Sequence, residues 1–483
     1  MTPTGTLVAA LRRADLLAHA PATLPAVSGL TADSRGVTPG MAYIAVRGSR
    51  ADGHRFCADA VAKGAALLVV ERPQGLAVPD VVVRDGRRAA VTLARAWYDD
   101  PGAHLVLVGI TGTNGKTTTT GLVRHLCNAR GSAGSIGTLG AFDGAGEAVA
   151  STAGSLTTPG PVDLQATLAA LRARGVTHVA MEASSHALDQ ERLDGLAFQA
   201  AVFTNLTRDH LDYHGTMGAY LAAKLRLADL LAPGGTAVVN LDDPAWAAMP
   251  PVPRRLTFGL DPAADVRAAG MVLEAAGSRF QLVTPEGVSE VRLPLCGEFN
   301  VANALAAAAA AIALGFPAAA VASRLSSAPM VPGRMERLAE RPVVLRDYAH
   351  TPDALERALR TLRPLTPGRL VVVFGAGGDR DRGKRPVMGR LAADLADVAI
   401  VTSDNPRTED PAAIVRDIVA GMAGSAPVVE LDRRRAIAQA LGMAREGDTI
   451  LLAGKGHETY QVIGTEKLPF DERAIVAELL GGA

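Results

Sequence analysis

Thr111-Gly-Thr-Asn-Gly-Lys-Thr-Thr118 is the stretch from which the fold of this chain is read. Residues 105–110 (LVLVGI) run into it as a short continuous apolar segment, the pattern of a strand buried in a parallel sheet. Residues 117–129 follow with apolar side chains at helical spacing and stop at Gly131, a usual helix-ending position. Strand, glycine-containing turn and helix together make the arrangement that holds a nucleoside triphosphate. Gly112 and Gly115 let the turn close tightly, so that backbone N–H groups and the helix N-terminus face phosphate oxygens. Lys116 is expected to reach the β- and γ-phosphates, and the Thr117 hydroxyl to sit on Mg²⁺. The general pattern places a glycine where this chain has Ile110, a departure that the flanking strand and helix outweigh. An ATP site is expected here.

A chain of 483 residues is too long for one core. At roughly 150 residues per domain it suggests about three. With 48% hydrophobic and 20% charged residues, its composition is that of an ordinary globular protein. The 49 basic residues balance the 49 acidic ones, which removes the electrostatic case for a nucleic acid or an anionic membrane as partner. Aromatics at 4% also argue against base-stacking platforms. Cys57, Cys127 and Cys296 lie far apart and form no CxxC pair, so neither a disulfide framework nor a zinc site is expected. The first residues show no basic region followed by an apolar core, so no secretion signal is read there and a cytoplasmic location is expected. The most apolar run, residues 304–316, is short, rich in alanine and ended by Pro317, which reads as a buried helix.

Residues 1–103 alternate short apolar strands (41–46, 66–70, 81–83) with helical stretches and read as a small α/β domain. Its polar clusters, Asp33-Ser-Arg35 and residues 48–53, read as surface turns on their own evidence. Residues 104–331 carry the phosphate loop and further strands at 178–181, 201–204 and 236–240, which predict a parallel sheet with helices on both faces. Polar clusters follow two of these strands: Glu182-Ala-Ser-Ser-His186, and residues 205–215 (NLTRDHLDYHG). Open parallel sheets bind ligands beyond the carboxyl ends of their strands, so both clusters belong on the edge that holds the phosphate loop. Glu182 is the easier Mg²⁺ ligand and His210 the less expected one, since Mg²⁺ prefers oxygen. Asp209, Asp212 and His214 offer a competing acid and imidazole set. On spacing alone Lys224, within the helical segment 220–231, is a solvated helix lysine. Asn300 reads as a helix N-cap, with Asn303 three positions on and able to face a ligand.

Residues 330–336 (MVPGRME) mark the boundary into a third region, 332–483, which is a cleaner βα series. Strands at 343–347, 370–374, 398–401 and 449–452 each run into a polar loop: residues 347–353, 375–382, 404–407 and 454–458. Four such loops on one sheet edge make a site. The GxGG spacing at Gly375 differs from GxGxxG, and no NAD site is inferred. Arg380, Asp404, Arg407 and Glu458 suit a zwitterionic ligand, with guanidinium forks for carboxylates and a carboxylate for an ammonium.

The motifs TGTNGKTT, MEASSH, TNLTRDHLDYHG, GEFNVANALA, PGRME, DYAHTPD, GAGGDRDRGKRP, DNPR and GKGHE occur in the order found in the Mur ligases, and together they resemble that family over nearly the whole chain. The DSR and DNPR clusters resemble its tripeptide-synthetase branch. The resemblance implies a three-domain α/β fold: a small UDP-sugar domain (1–103), a central P-loop parallel-sheet ATPase domain (104–331) and a Rossmann-like amino-acid domain (332–483). The implied reaction uses ATP and Mg²⁺ to phosphorylate the γ-carboxylate of D-Glu in UDP-MurNAc-L-Ala-D-Glu. The amine of a diamino acid then displaces phosphate, in peptidoglycan precursor synthesis. A monomer acting on small molecules is expected.

Carried over position by position, Gly112, Thr113, Asn114, Gly115, Lys116, Thr117 and Thr118 resemble the family's ATP and Mg²⁺ residues. Asn303, Arg334 and Asp347 resemble further nucleotide contacts. Glu182 and His210 match residues associated with the second magnesium, and Lys224 matches the lysine that the family carbamylates into an oxygen ligand. Ser34, Ser49, Arg50, Ala51, Thr157, Thr158, Ser184, Gln190 and Arg192 match the UDP-MurNAc-dipeptide positions, with Ser49-Arg50 and Leu156 departing from the usual variants. Arg380, Asp404, Asn405, Pro406, Arg407, Gly454 and Glu458 match the amino-acid pocket. Its DNPR form implies meso-diaminopimelate, with Arg407 on the distal carboxylate. An enzyme adding L-lysine or L-ornithine is the nearest alternative. A folylpolyglutamate synthase shares the central motifs but not DSR and DNPR, and a P-loop switch ATPase would need no third domain with zwitterion-binding loops.

Overall fold

The computed structural model describes residues 4–48, 51–149, 156–274, 276–424 and 426–481. The expectations for Ser49 and Arg50 therefore lie outside the described residues. The chain forms two compact units, one built from Met1–Ala268, Leu282–Ser289 and Ala302–Arg324, the other from Ala269–Gln281, Glu290–Val301 and Leu325–Ala483.

The first unit contains two sheets. The smaller uses β1 (Leu17–His19), β2 (Leu30–Thr31), β3 (Ala42–Ile44), β4 (Leu67–Val70) and β5 (Asp80–Val83) in the order β1-β5-β4-β3-β2. It is parallel except where β1 pairs antiparallel with β5. The Gly86–Trp97 helix starts where the Asp85 carboxylate accepts from the N–H groups of Arg87 and Arg88, and buries Ala89, Ala90, Leu93 and Ala94 against this sheet. The Asp33-Ser-Arg35 cluster is an exposed turn, as its composition predicts.

The larger sheet takes β6 (Val106–Thr111), β7 (Ser132–Gly137), β8 (Gly140–Phe142), β9 (Ala148–Val149), β10 (Val176–Glu182), β11 (Phe198–Phe203), β12 (Leu231–Asn240), β13 (Arg254–Gly259) and β14 (Val266–Glu274). Two further strands lie beyond β14 in this eleven-stranded sheet; from there its order is β14-β13-β12-β11-β6-β10-β7-β8-β9, parallel from β14 to β7. The expected parallel sheet is therefore its centre. The β7-β8-β9 edge is antiparallel, because only two residues join β7 to β8 and a parallel return needs a long crossover. The central strands are buried on both faces, with Leu107, Val179, Phe198, Ala201 and Phe203 in one core cluster. β15 (Gly277–Thr284) and β16 (Gly287–Leu293) form a hairpin turned at Pro285-Glu286, an alternating stretch not anticipated from the sequence.

The alanine-rich segment is a helix, Glu298–Ala313, whose residues 304–311 are all 0% exposed. It begins two residues before Asn300, so Asn300 is not its N-cap. The Asn300 amide instead donates to the carbonyl of Cys296 at 2.9 Å.

The second unit carries β17 (Glu336–Glu340), β18 (Val343–Asp347), β19 (Leu370–Phe374), β20 (Val398–Val401), β21 (Val428–Val429) and β22 (Thr449–Ala453) in the order β17-β18-β22-β19-β20-β21. Only β17 runs antiparallel. Valine- and leucine-rich strands fill both faces, with Leu345, Val372, Phe374 and Leu451 on one side and Val344, Val371, Val373 and Ile450 on the other. That double burial explains why the strands read as unbroken apolar runs. β23 (Tyr460–Ile463) and β24 (Glu466–Pro469) make a separate hairpin. The three cysteines are buried thiols without disulfides. Among the described residues no helix is long and apolar enough to cross a membrane.

Candidate functional site

The phosphate loop leaves β6 at Thr111 and enters the Lys116–Cys127 helix through Gly115. Gly112 (φ 146°) and Gly115 (φ 85°) both adopt backbone that L side chains rarely take. A Cβ on Gly112 would overlap Thr204 Oγ1, and one on Gly115 would overlap Asn303 Oδ1. The segment after β11 holds this loop from the side. Asn205 O accepts from Thr113 N at 2.7 Å, Asn205 Oδ1 accepts from Asn114 N at 2.9 Å, and the Thr204 hydroxyl donates to Asn114 O at 2.7 Å. Thr207 N donates to Thr113 Oγ1 at 2.9 Å. The loop is thus shaped in advance of any ligand. Lys116 Nζ folds over it, donating to Gly112 O (2.9 Å) and Thr113 O (2.8 Å). Thr117 and Thr118 are buried behind it.

Parallel register places Glu182, the last residue of β10, beside Ile110 of β6. Its carboxylate is 1% exposed and accepts from Thr138 N at 2.9 Å, while Thr138 Oγ1 lies 3.1 Å from the other oxygen. Gly137 supplies the room: a Cβ there would collide with the Glu182 side chain. Lys224 overturns its reading as a solvated helix lysine. It is 1% exposed, donates to Gly112 O at 2.6 Å and stands 4.4 Å from the Tyr220 ring centre. Burial, reinforced by Lys116, drives its pKa well below the usual lysine value, with Asp209 opposing weakly. It lies on the buried stripe of the Met217–Asp229 helix with Tyr220, Ala223, Leu227 and Ala228, so its helical position agrees with burial and only its residue type suggests a solvated side chain.

His210 sits at φ 53° before a short helix, with its side chain 46% exposed and Nε2 3.5 Å from Asp209. Its ring lies 4.8 Å from that of His186, which also packs on Tyr213 and His214. Burial lowers the His210 pKa, and burial with the two neighbouring imidazoles brings His186 down to about 4. Of the competing set, His214 Nε2 is 3.0 Å from Ser185 Oγ, while Asp209 and Asp212 are exposed. Among the described residues no three His, Cys, Asp or Glu side chains gather to hold a metal by themselves. A buried carboxylate, a threonine hydroxyl and phosphate oxygens are the donor set that Mg²⁺ favours, and Glu182 and Thr117 fit it.

The sugar-dipeptide candidates form one network beside Glu182. The Thr158 hydroxyl donates to Glu182 O (2.7 Å) and accepts from Ser184 N (3.1 Å). Ser184 caps the Ser185–Asp189 helix. Arg192 donates to Thr158 O (2.9 Å) and to Gln190 Oε1 (2.6 Å), Gln190 donates to Tyr213 OH (3.1 Å), and Thr157 Oγ1 lies 3.2 Å from Thr138 Oγ1. Burial lowers the pKa of Arg192, and Arg87 lies near enough to lower it further. Arg87 in turn donates to Arg47 O at 3.1 Å, next to Gly48, whose N–H donates to Ala51 O at 2.9 Å. Ser34 lies on its own exposed turn, with its carbonyl accepting from Lys63 at 2.9 Å.

In the second unit the strand ends are aligned, Asp347 opposite Ala453 and Phe374 opposite Val401. Asp347 accepts from Met335 N at 2.8 Å, and burial raises its pKa. The Arg334 guanidinium lies over the Tyr348 ring at 4.9 Å. Asp404, Asn405, Gly454 and Glu458 meet at one point. Asn405 donates to Glu458 Oε2 at 2.8 Å, and a Cβ on Gly454 (φ 113°) would crowd Asp404 Oδ2. Arg407 (φ 52°) donates to Gly378 O at 2.7 Å, and its backbone pairs with the β23–β24 hairpin through Val462 O and Gly464 N. Pro406 packs over Gly378, where a Cβ would overlap its carbonyl. Arg380 is exposed on the same loop. Buried Arg385 binds Glu409 at 2.8 Å and Asp417 at 2.9 Å, holding the Glu409 carboxyl down at about 2 and tying residues 404–409 to the Gly375 loop.

Four contributors were not singled out from the sequence. Thr138, Thr204 and Asn205 are polar residues just past strand ends, the place where a site-forming role is legible. Lys455 is invisible to spacing: only the fold shows a lysine 0% exposed between Asp404 and Glu458.

Family models described as Mur ligase middle domain, Mur ligase glutamate ligase domain and Mur ligase family catalytic domain match residues 110–311, 333–456 and 26–98. The chain is 47% identical over 463 residues to a UDP-N-acetylmuramoyl-L-alanyl-D-glutamate–2,6-diaminopimelate ligase of Gloeobacter violaceus, covering 94% of each chain. It is 46% identical to the protein of that name from Geobacillus thermodenitrificans, covering 93% of this chain and 94% of the relative. A solved structure bearing the same name superposes with a TM-score of 0.67 at 37% identity, covering 94% of this chain and 95% of its own.

Proposed function

This chain belongs to the Mur ligase family, and on that premise we propose that it is an ATP-dependent amide ligase joining meso-2,6-diaminopimelate to the D-Glu γ-carboxylate of UDP-MurNAc-L-Ala-D-Glu. The observation that carries the substrate choice is the DNPR loop. Arg407 is held at a left-handed backbone position by the hairpin, with its guanidinium on Gly378 O of the Gly375 loop. The same tetrad supplies Asn405, whose amide pairs with the Glu458 carboxylate, a set that suits an ammonium group. The relatives' names point the same way.

Residues Gly112 to Thr118 and Asn303 hold ATP, with Arg334 and Asp347 supplying further nucleotide contacts. Backbone N–H groups and Lys116 neutralise the phosphates. Thr117, Glu182, His210 and carbamylated Lys224 are the Mg²⁺ ligands. The metal, when bound, offsets phosphate charge during transfer. A buried Lys224 with a lowered pKa presents the neutral amine that reacts with CO₂, giving a carbamate and a proton. Ser34, Ser49, Arg50, Ala51, Thr157, Thr158, Ser184, Gln190 and Arg192 bind the UDP-MurNAc-dipeptide. Arg380, the Asp404–Arg407 tetrad, Gly454 and Glu458 bind the amino acid. A carboxylate has no leaving group, and the acyl phosphate supplies one, so the protein's contribution is positioning and charge neutralisation. The division at residues 103 and 331, a monomeric state and a cytoplasmic setting for peptidoglycan precursor synthesis complete the proposal.

Phosphate release with ATP, Mg²⁺ and UDP-MurNAc-L-Ala-D-Glu tests it, adding meso-diaminopimelate, L-lysine or L-ornithine in separate reactions. Strong stimulation by diaminopimelate alone is expected. Stimulation by lysine or ornithine instead would discard the account of Arg407. Release needing neither partner would mark a switch ATPase.

A further inference from the structure

Lys455 is a fully buried lysine, 0% exposed, yet it lies in a pocket for a polar ligand. Its Nζ donates to Asn405 Oδ1 at 3.0 Å and Glu458 Oε2 at 3.2 Å, and stands 3.7 Å from Asp404 Oδ1. Those three partners are the side chains assigned above to the amino acid. Asn405 Oδ1 also accepts from Val462 N at 2.9 Å, which leaves the Asn405 amide only one sensible orientation, with Nδ2 donating to Glu458 Oε2 at 2.8 Å. Glu458 Oε2 is therefore occupied twice, and Oε1 is the oxygen left for a ligand. Asp404 Oδ1 is buried with no hydrogen-bond partner, so the nearby ammonium is what compensates its charge.

We propose that Lys455 is a positioning residue that sets the specificity of the amino-acid pocket: its buried ammonium fixes Asn405 and Glu458 and disfavours amino acids whose distal end is a bare cation. The inference rests on the reading of this pocket as the amino-acid site. The side chain is 0% exposed, so the Nζ has no open face of its own. It acts by its charge on the Glu458 carboxylate. A distal zwitterion offers a carboxylate as well as an ammonium and is tolerated beside an extra positive charge. A lone ammonium, as at the end of lysine, feels the same charge as repulsion. Removing one positive charge therefore shifts preference toward the cation-ended amino acid, whatever the pocket's total charge.

The test compares kcat and KM for meso-diaminopimelate and L-lysine in the wild-type protein, Lys455→Met, and Lys455→Met combined with Asp404→Asn. In Lys455→Met the KM for diaminopimelate should rise about tenfold or more, with the KM for ATP within about twofold of wild type. The lysine-to-diaminopimelate ratio of kcat/KM should rise about tenfold. The double variant removes one charge of each sign and should recover most of that selectivity. A packing role alone would lower stability and kcat without moving the ratio, and Asp404→Asn would not restore anything. If Lys455→Met does not fold, Lys455→Gln replaces the ammonium with a neutral amide donor and must show the same shift. An unchanged ratio in either folded single variant, or a double variant no closer to wild type, overturns the proposal. If the wild-type protein responds to neither amino acid, the reading of the reaction falls and this inference with it. A working wild type with unmoved variants sinks only the role of Lys455.

Discussion

The loop after β6 and the loop after β22 each enclose a buried lysine, Lys224 at 1% exposure and Lys455 at 0%, and the two regions use them in opposite ways. Around Gly112 the amine meets a carbonyl oxygen, an aromatic face and the Lys116 ammonium. Burial there favours the neutral form, which the proposed carbamylation requires. Around Gly454 the ammonium lies among two carboxylates and an amide oxygen, and its charge is part of the design of the pocket. Residue type and burial are the same in both regions. What differs is the sign of the nearest groups, and on that difference rest the two proposed roles, a reactive amine and a fixed cation.

The strongest challenge to this contrast is Lys224→Met. With the amine gone, phosphate release should fall on the order of a thousandfold while the Tm stays close to wild type, as measured by steady-state kinetics and thermal melting. Protein stripped of CO₂ should regain activity on adding bicarbonate. A variant retaining wild-type rate would leave Lys224 as packing.

Arg407→Ala probes the second region. The guanidinium is expected to read a carboxylate, so its loss should raise the KM for diaminopimelate about 30- to 100-fold with little change for ATP. An unchanged KM would remove the basis for choosing diaminopimelate over lysine or ornithine.

How far the two regions were legible beforehand follows the same physics. The strands at 343–347, 370–374 and 398–401 were read with their observed bounds, because strands buried on both faces are unbroken apolar runs. The phosphate loop was legible because its glycines have a local backbone reason. The surroundings of Lys224 and Lys455 were not: helical spacing puts Lys224 on the stripe with Tyr220, Ala223, Leu227 and Ala228 but not under the phosphate loop, and Lys455 lies in a loop, where spacing says nothing. Resemblance to a family supplied Lys224. The sequence placed Lys455 in a site loop, residues 454–458, without giving it a role, and nothing in it supplied the Thr138 seat of Glu182. The β15–β16 pair has a sequence signal, alternating residues on either side of Pro285-Glu286-Gly287, that the apolar-run criterion does not detect.

Asn205→Ala sharpens the comparison at the first region alone. It removes the side-chain contacts to Asn114 N and O and should raise the KM for ATP about tenfold, leaving that for the amino acid unmoved. An equal rise in both would mean that the loop is not shaped separately.

The smallest effect belongs to a charge pair that serves only the fold. Burial would raise the Asp448 carboxyl, but the Arg369 guanidinium and the N–H groups of Arg369 and Arg445 hold it down at about 2. A depressed carboxylate stabilises the fold above its ordinary pKa near 3.8, and that stability is lost as pH falls through about 2. Arg369→Met should cost about 1 kcal/mol near neutral pH after solvent screening is allowed for, with the difference closing in acid. Urea melts across that pH range check it, and catalysis should be untouched.

The most direct test of the contrast is carbon-13 NMR of protein equilibrated with labelled bicarbonate. A carbamate resonance is predicted in the wild-type protein, absent in Lys224→Met and retained in Lys455→Met. No resonance at all, or one that disappears with Lys455 and survives the loss of Lys224, would contradict it.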